Sequence, residues 1–111
     1  MKEFHTSVVE LRQPIMTPFS SEPYECGWAS EATFFVTLHE EQHPSTEILV
    51  RPKISPDGIH WTDAAVAPIA MTQSGLYALS LTNFGGWLKL DFTTTNTAQA
   101  ALITVHLALK G

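Results

Sequence analysis

The stretch 48–63, ILVRPKISPDGIHWTD, constrains the fold most, because its own residues predict a β-hairpin. At its centre, Ser55-Pro56-Asp57-Gly58 has the composition of a type I turn followed by a left-handed glycine. The proline pre-sets φ at the second turn position, and Gly58 can adopt a positive φ without steric cost. The chain is therefore expected to reverse direction here and to continue as an antiparallel strand.

Counting outward from this turn predicts the register of the hairpin. Lys53 should lie opposite Trp61, so that the lysine side chain rests on the indole ring, and Arg51 should lie opposite Asp63 as an ion pair. Pairs of this kind contribute about 0.2–1 kcal/mol each. They therefore help to select a register without accounting for the stability of the fold.

Four further segments alternate apolar and polar residues with period two, which is typical of strands that bury one face. They are 32–39, 76–81, 87–93 and 101–110. Residues that favour turns recur about every ten positions, and no segment shows helical periodicity. We predict an all-β fold, namely an antiparallel two-sheet β-sandwich of jelly-roll or Ig-like type with about seven strands.

Residues 1–29 are predicted to form an extended N-terminal arm, and residues 30–111 the β-sandwich domain. A short strand is expected at 7–11, after which three prolines interrupt regular pairing. Four large side chains nevertheless occur among these prolines: Ile15, Met16, Phe19 and Tyr24. Such side chains need a surface to pack on, so they are candidate contacts with either the domain itself or a neighbouring subunit.

Charge and cysteine content exclude several functions. Six basic residues stand against eleven acidic ones, a net charge of −5, and the basic residues are scattered, so nucleic acid is not an expected partner. Cys26 is the single cysteine, which rules out an intrachain disulfide and favours a small buried hydrophobe. We predict no secretory signal, no transmembrane segment, no membrane partner and a virion or cytoplasmic location.

The segment HEEQH at 39–43 matches the letters of the zinc-peptidase motif H-E-x-x-H. That chemistry requires a helix, whereas the preceding TFFVTL alternates as a strand and Pro44 disfavours helix continuation. In an extended chain the two histidines would lie about 13 Å apart, too far to bind one ion. We interpret the motif as a polar turn, retain a zinc metallopeptidase as an outlying alternative, and expect no metal or cofactor.

No other pattern points to catalysis, so we predict a protein that is not an enzyme and has no catalytic residues. The sequence contains neither a G-x-S-x-G elbow nor a glycine-rich phosphate loop. Trp28, Trp61 and Trp87 are the remaining candidate binding residues. Aromatic rings on a small sandwich can serve as ligand platforms, although packing against the core or rim is the structural alternative.

The order of three segments resembles a known group of proteins. SPDGIHWTD at 55–63, SGLYALSL at 74–81 and NFGGWLKLDFTTTNTAQAALITVHLAL at 83–109 resemble small β-sandwich accessory proteins of bacteriophage virions or virion-like shells. The resemblance extends over about residues 30–109. It implies a non-enzymatic decoration or cement-type subunit that forms a homo-oligomer and binds a larger protein shell. The alternative is a carbohydrate-binding module that presents the tryptophans to a glycan.

Overall fold

The computed structural model describes residues 4–42 and 46–111, and within these ranges all regular structure is β-strand. Six strands are long: β1 (Phe4–Ile15), β4 (Glu31–Leu38), β5 (Ile48–Ser55), β8 (Gly75–Thr82), β9 (Trp87–Thr94) and β10 (Ala101–Lys110). Four are short: β2 (Phe19–Ser20), β3 (Tyr24–Glu25), β6 (Thr62–Asp63) and β7 (Ile69–Met71). The all-β prediction is confirmed, and the described ranges hold ten strands rather than about seven. The count is eight when each of the two interrupted strand positions, β2 with β3 and β6 with β7, is taken as one strand.

The strand order is that of a jelly roll. One antiparallel sheet has four strands in the order β1-β10-β4-β8. In the other, β2 and β3 both pair with one side of β9, β5 pairs with its other side, and β6 and β7 both pair with β5. When each short pair is counted as one interrupted strand, both sheets have four positions and the chain crosses between them repeatedly. We call them the four-stranded and the six-stranded sheet.

The core lies between the sheets and is built from alternate residues of the long strands. Its fully buried members are 0–1% exposed and include Phe34, Val36 and Leu38 of β4, Leu88, Leu90 and Phe92 of β9, and Ile103, Val105, Leu107 and Leu109 of β10. Each large apolar side chain contributes roughly 1.5–3 kcal/mol on burial. The inward positions predicted from the alternation of these three strands are confirmed.

The N-terminal segment is an edge strand of the four-stranded sheet. β1 pairs with β10 from Phe4 opposite Lys110 to Ile15 opposite Ala101, with two irregularities between Val8 and Gln13. The strand is longer than the predicted 7–11 and includes Pro14, since an edge strand tolerates a residue that lacks an N–H donor. Whether residues 30–111 fold without this segment stays a prediction, which a truncation can test.

The hairpin forms, but its predicted register is wrong by two residues. Lys53 lies opposite Asp63 and Ile54 opposite Thr62, so Lys53 and Trp61 are not cross-strand partners, and neither are Arg51 and Asp63. The loop is longer than the four turn residues because the Asp57 carboxylate holds the backbone beyond the turn. Its Oδ1 accepts the N–H groups of residues 59 and 60, each at 2.8 Å.

Candidate interaction surfaces

The loop between β5 and β6 is organised by three side chains of its own. Ser55 Oγ accepts the N–H groups of Asp57 and Gly58 at 3.2 and 2.8 Å. Gly58 has the positive φ that the sequence predicted, 78°. Asp57 Oδ2 lies 2.7 Å from Nδ1 of His60. Hydrogen bonds from the backbone and ring of His60, and from the backbone of Ile59, hold the pKa of Asp57 below its usual range.

Trp87 packs against this loop. A Cβ on Gly58 would lie 3.1 Å from the indole ring, so glycine lets the ring rest directly on the backbone. A Cβ on Gly85 would lie 2.8 Å from the carbonyl oxygen of Ser55, which brings the β8–β9 turn against the same loop. Trp87 is half-buried as a result and contributes to the packing of its own chain.

The outward side chains of β5 and β9, with Trp61, form what we call the charged face. Lys89 Nζ lies 4.7 Å from the centre of the Trp61 ring, so the cation–π contact that was predicted for Lys53 is made by Lys89 instead. Lys53 pairs with Asp63 and holds the pKa of that carboxyl below its usual range. Asp91 accepts a hydrogen bond from Ser20 at 2.6 Å and lies 3.6 Å from Lys89 Nζ.

A shallow depression of about 130 Å³ crosses the charged face between β5 and β9. It is lined by Leu49, Arg51, Lys53, Asp91 and Thr93. Two of its charged side chains, Lys53 and Asp91, have polar partners within the chain. Many of the charged side chains on the charged face are thus paired with groups of the same molecule.

The three tryptophans do not form one site. Trp61 and Trp87 share the charged face, but Lys89 covers the first ring and Gly58 touches the second. Trp28 lies beside Gly111 at the end of β10 and is 43% exposed. Glycan binding by any of these rings stays a prediction, and the rings of the charged face already have partners in their own chain.

Three of the four arm side chains pack on their own chain. Ile15 is fully buried in the core, and the Phe19 ring lies 6.2 Å from the Phe92 ring at an interplanar angle of 43°. The hydroxyl of Tyr24 lies 2.7 Å from Ser7 Oγ. Met16 is 44% exposed and is the member of this group that a partner could reach most readily. Contact between subunits through these residues stays a prediction.

A cluster of His5, Ser7 and Tyr24 joins the two sheets. Ser7 Oγ lies 2.8 Å from Nε2 of His5, and Tyr24 Oη lies 3.2 Å from the same nitrogen. A serine beside a histidine can form part of a nucleophilic site, where a third group orients the histidine through its other nitrogen. Here tyrosine bonds to both residues and ties β1 to β3, so we interpret the cluster as a structural link.

The HEEQH segment is not helical where the structure describes it. β4 ends at Leu38, and His39 donates its backbone N–H to Leu102 O at 3.0 Å. The His39 ring lies 2.6 Å from Thr104 Oγ1, and Glu41 accepts hydrogen bonds from the backbone and hydroxyl of Ser74. The predicted strand is confirmed with its end at Leu38, residues 39–42 are not helical, and the rest of the predicted turn lies outside the described residues.

The second histidine of the motif, His43, lies outside the described residues. Within ranges 4–42 and 46–111, no three or more His, Cys, Asp or Glu side chains converge in a geometry for a metal ion. The absence of metal stays a prediction. Cys26 is fully buried, and burial together with the neighbouring charge of Glu25 raises the pKa of its thiol to about 11. The thiol is therefore protonated at neutral pH, which disfavours a nucleophilic role.

The sequence interpretation missed the outer face of the four-stranded sheet. Three successive rows of cross-strand neighbours contain no Asp, Glu, Lys or Arg, and we call them the uncharged face. The rows are Thr6-Ala108-Thr33-Ser80, Val8-His106-Phe35-Ala78 and, on β10, β4 and β8 alone, Thr104-Thr37-Leu76. At the β1 end of the third row, Arg12 donates its backbone N–H to Thr104 Oγ1 at 3.1 Å. Val8 is 53% and Leu76 66% exposed. Apolar residues at outward positions of β4, β8 and β10 were the feature of the sequence that could have revealed this face.

Comparison with known proteins establishes the fold. No protein-family model matches the sequence, and no curated protein matches it. The PBSX exported protein XepA has a TM-score of 0.62 at 10% identity, over 98% of this chain and 36% of that chain. The SPBc2 prophage-derived protein YomS has a TM-score of 0.61 at 10% identity, over 100% of this chain and 96% of that chain.

The chain thus spans little more than a third of XepA and nearly all of YomS. In the part of the chain that the structure describes, no helix has the length and apolar character needed to cross a membrane. With identities this low, the likeness concerns architecture. The chain has the all-β fold of two phage-derived proteins.

Proposed function

We propose that the chain is a non-enzymatic structural subunit of a phage-type particle, a decoration or cement-type accessory that binds a virion or virion-like protein shell. The observation that carries the proposal is the likeness of fold to phage-derived proteins over at least 98% of the chain. Because one fold can serve many functions, this likeness needs support from the surface of the molecule. The resemblance of residues 55–63, 74–81 and 83–109 to virion accessory proteins points the same way.

The two outer surfaces favour association over catalysis. On the charged face, Lys53, Lys89 and Asp91 interact with partners in their own chain, so they are not poised around an open cleft. The uncharged face exposes Val8 and Leu76, whose burial would require another molecule. A subunit that works by contact needs an accessible apolar surface and no reacting group.

Density-gradient purification of particles from a host that carries the gene tests the proposal. We expect the chain to migrate with the particles at a fixed ratio to the main shell protein, as measured by quantitative mass spectrometry. Particles from a deletion strain are the control and should lack this chain. If the chain remains at the top of the gradient while intact particles migrate below it, the proposal is wrong.

A second measurement separates the glycan alternative. Purified chain is titrated with a panel of oligosaccharides, and tryptophan fluorescence is followed. A structural accessory that recognises protein leaves the emission unchanged. A saturable shift that is lost in a Trp28→Ala or Trp61→Ala variant would favour the carbohydrate-binding function instead.

A further inference from the structure

The uncharged face and the row next to it are together large enough for a specific contact. Adjacent strands lie about 4.8 Å apart and alternate rows about 6.6 Å apart, so the three rows of the uncharged face and the neighbouring row, Phe4-Lys110-Glu31-Thr82, cover on the order of 500 Å² per copy. Two such faces together would bury on the order of 1,000 Å², which is the size at which an interface becomes specific. Three of the four residues in the central row of the uncharged face, Val8, Phe35 and Ala78, are apolar, whereas a sheet face open to water is normally polar.

Charge favours a second copy as the occupant. The chain has a net charge of −5, so two copies repel each other wherever their acidic surfaces meet. On β10, β4 and β8, and on β1 as far as Val8, the three rows of the uncharged face contain no acidic or basic side chain other than the His106 imidazole, and Arg12 lies at the β1 edge beside Thr104. Identical molecules can therefore approach on this side without bringing like charges together.

The row next to the uncharged face is complementary to itself. It runs Phe4, Lys110, Glu31, Thr82 across strands β1, β10, β4 and β8. A twofold axis parallel to the strands, between β10 and β4, reverses this order in the second copy. Lys110 then faces Glu31 of the partner subunit, and Glu31 faces Lys110 of the partner subunit.

We propose that a second copy of this chain binds on the uncharged face about this twofold axis. The same axis places His106 against Phe35 of the partner subunit and Val8 against Ala78 of the partner subunit. Ala108 meets Thr33 of the partner subunit, so small side chains oppose each other beside the axis. Such an isologous contact closes on itself as a dimer with the strands of the two sheets nearly aligned.

This inference deepens the proposed function by naming the surface through which copies associate. Only the biological purpose of the dimer rests on the proposed function. The dimer leaves the charged face of each copy outward. That face therefore stays accessible when two copies associate.

Charge reversal with mixing tests the axis. We expect Lys110→Glu and Glu31→Lys, each alone, to weaken self-association about tenfold at low salt, because each variant opposes like charges across the axis. An equimolar mixture of the two variants should form heterodimers that associate about as tightly as the parent. Sedimentation equilibrium over a concentration series measures all three dissociation constants, and circular dichroism checks that each variant folds.

A matched pair of exposed positions tests the face. Ala78→Glu lies in the central row of the uncharged face, whereas Thr93→Glu places the same side chain on the charged face. We expect at least about tenfold weaker self-association for Ala78→Glu and no change for Thr93→Glu. Equal weakening by both variants, a mixture that does not associate, or a parent that is monomeric at about 1 mM would overturn the inference.

These outcomes are separable from those of the particle experiment. A parent chain that is monomeric in solution but migrates with particles would overturn the twofold contact and leave the proposed function standing. A chain that dimerises with the expected charge dependence but never migrates with particles would overturn the proposed function and leave the twofold contact standing.

Discussion

Side chains alternate between the inner and the outer face in both sheets, but the contacts made by the outer side chains differ. On the six-stranded sheet, outward residues interact within the chain, as Lys53 does with Asp63 and Lys89 with Trp61. On the four-stranded sheet, outward residues such as Val8 and Leu76 are left exposed. The comparison teaches that charged side chains of the charged face stabilise the monomer, whereas the exposed apolar side chains of the uncharged face, Val8 and Leu76, can gain burial only from another molecule.

The largest expected effect comes from removing one edge of both sheets. A truncation that starts at Gly27 deletes β1, β2 and β3, and with them the buried side chains of Ile15 and Cys26. We expect the loss to exceed the usual 5–15 kcal/mol stability of a small domain, so cooperative thermal unfolding should disappear. Circular dichroism and calorimetry measure whether the truncated chain still unfolds in a cooperative transition.

The outcome of the truncation also decides the predicted domain boundary. If residues 27–111 retain a β-type spectrum and a sharp melting transition, then 30–111 is an independent domain and residues 1–29 are an accessory arm. In that case the uncharged face would keep three of its four strands, and its self-association could be measured without β1.

The next effect compares one side chain from each outer face. Trp87→Ala should lower the free energy of unfolding by about 2–3 kcal/mol, because the ring packs on the loop at Gly58. Leu76→Ala, on the uncharged face, should change the monomer by less than about 0.5 kcal/mol. Chemical denaturation at low protein concentration measures both values. A cost for Leu76→Ala as large as that for Trp87→Ala would erase the difference between the faces.

A smaller effect is expected at the glycine beneath Trp87. Gly58→Val forces a β-branched residue to φ of 78° and pushes a side chain toward the indole ring, which should cost about 1–2 kcal/mol. Gly86→Ala is the control, since a Cβ there meets its nearest atom at 3.8 Å and the glycine needs no positive φ. Thermal denaturation should separate the variants by several degrees. Equal melting temperatures for Gly58→Val and Gly86→Ala would show that the backbone conformation of Gly58 does not stabilise the fold as proposed.

The smallest effect concerns the pH dependence of the loop. The pKa of Asp57 is lower in the folded chain than its unfolded value of about 3.9, so its ionised form stabilises the fold above about pH 4. That contribution is lost as the pH falls below this value toward the folded pKa. Asp57→Ala should therefore lower the melting temperature at pH 7, and the difference from the parent should shrink in acid.

Asp57→Asn is the control for the last variant, because it keeps a side-chain oxygen for the N–H groups of Ile59 and His60 but does not titrate. Its melting temperature should fall between those of the parent and the alanine variant at pH 7. A difference between parent and alanine variant that stays constant from pH 7 to about pH 2.5 would show that ionisation of Asp57 does not stabilise the loop.

Local patterns were sufficient for the strands and the turn. Alternation along 87–93 and 101–110 identified both the strands and their buried faces, because the two-residue period is visible in the residues themselves. Gly58 was predicted at positive φ for an equally local reason, the steric freedom of glycine after Pro56-Asp57. The resemblance of about residues 30–109 to phage accessory proteins agrees with the phage-derived structures that share the fold.

Register and surface depended on contacts between distant residues. The hairpin is offset by two residues because Asp57 binds backbone groups beyond the turn, which turn composition did not reveal. Val8, Phe35 and Ala78 are far apart in sequence and become neighbours only because β10 inserts between β1 and β4. Strand order is chosen by the free energy of the whole core, so the uncharged face appears only when all four strands are in place.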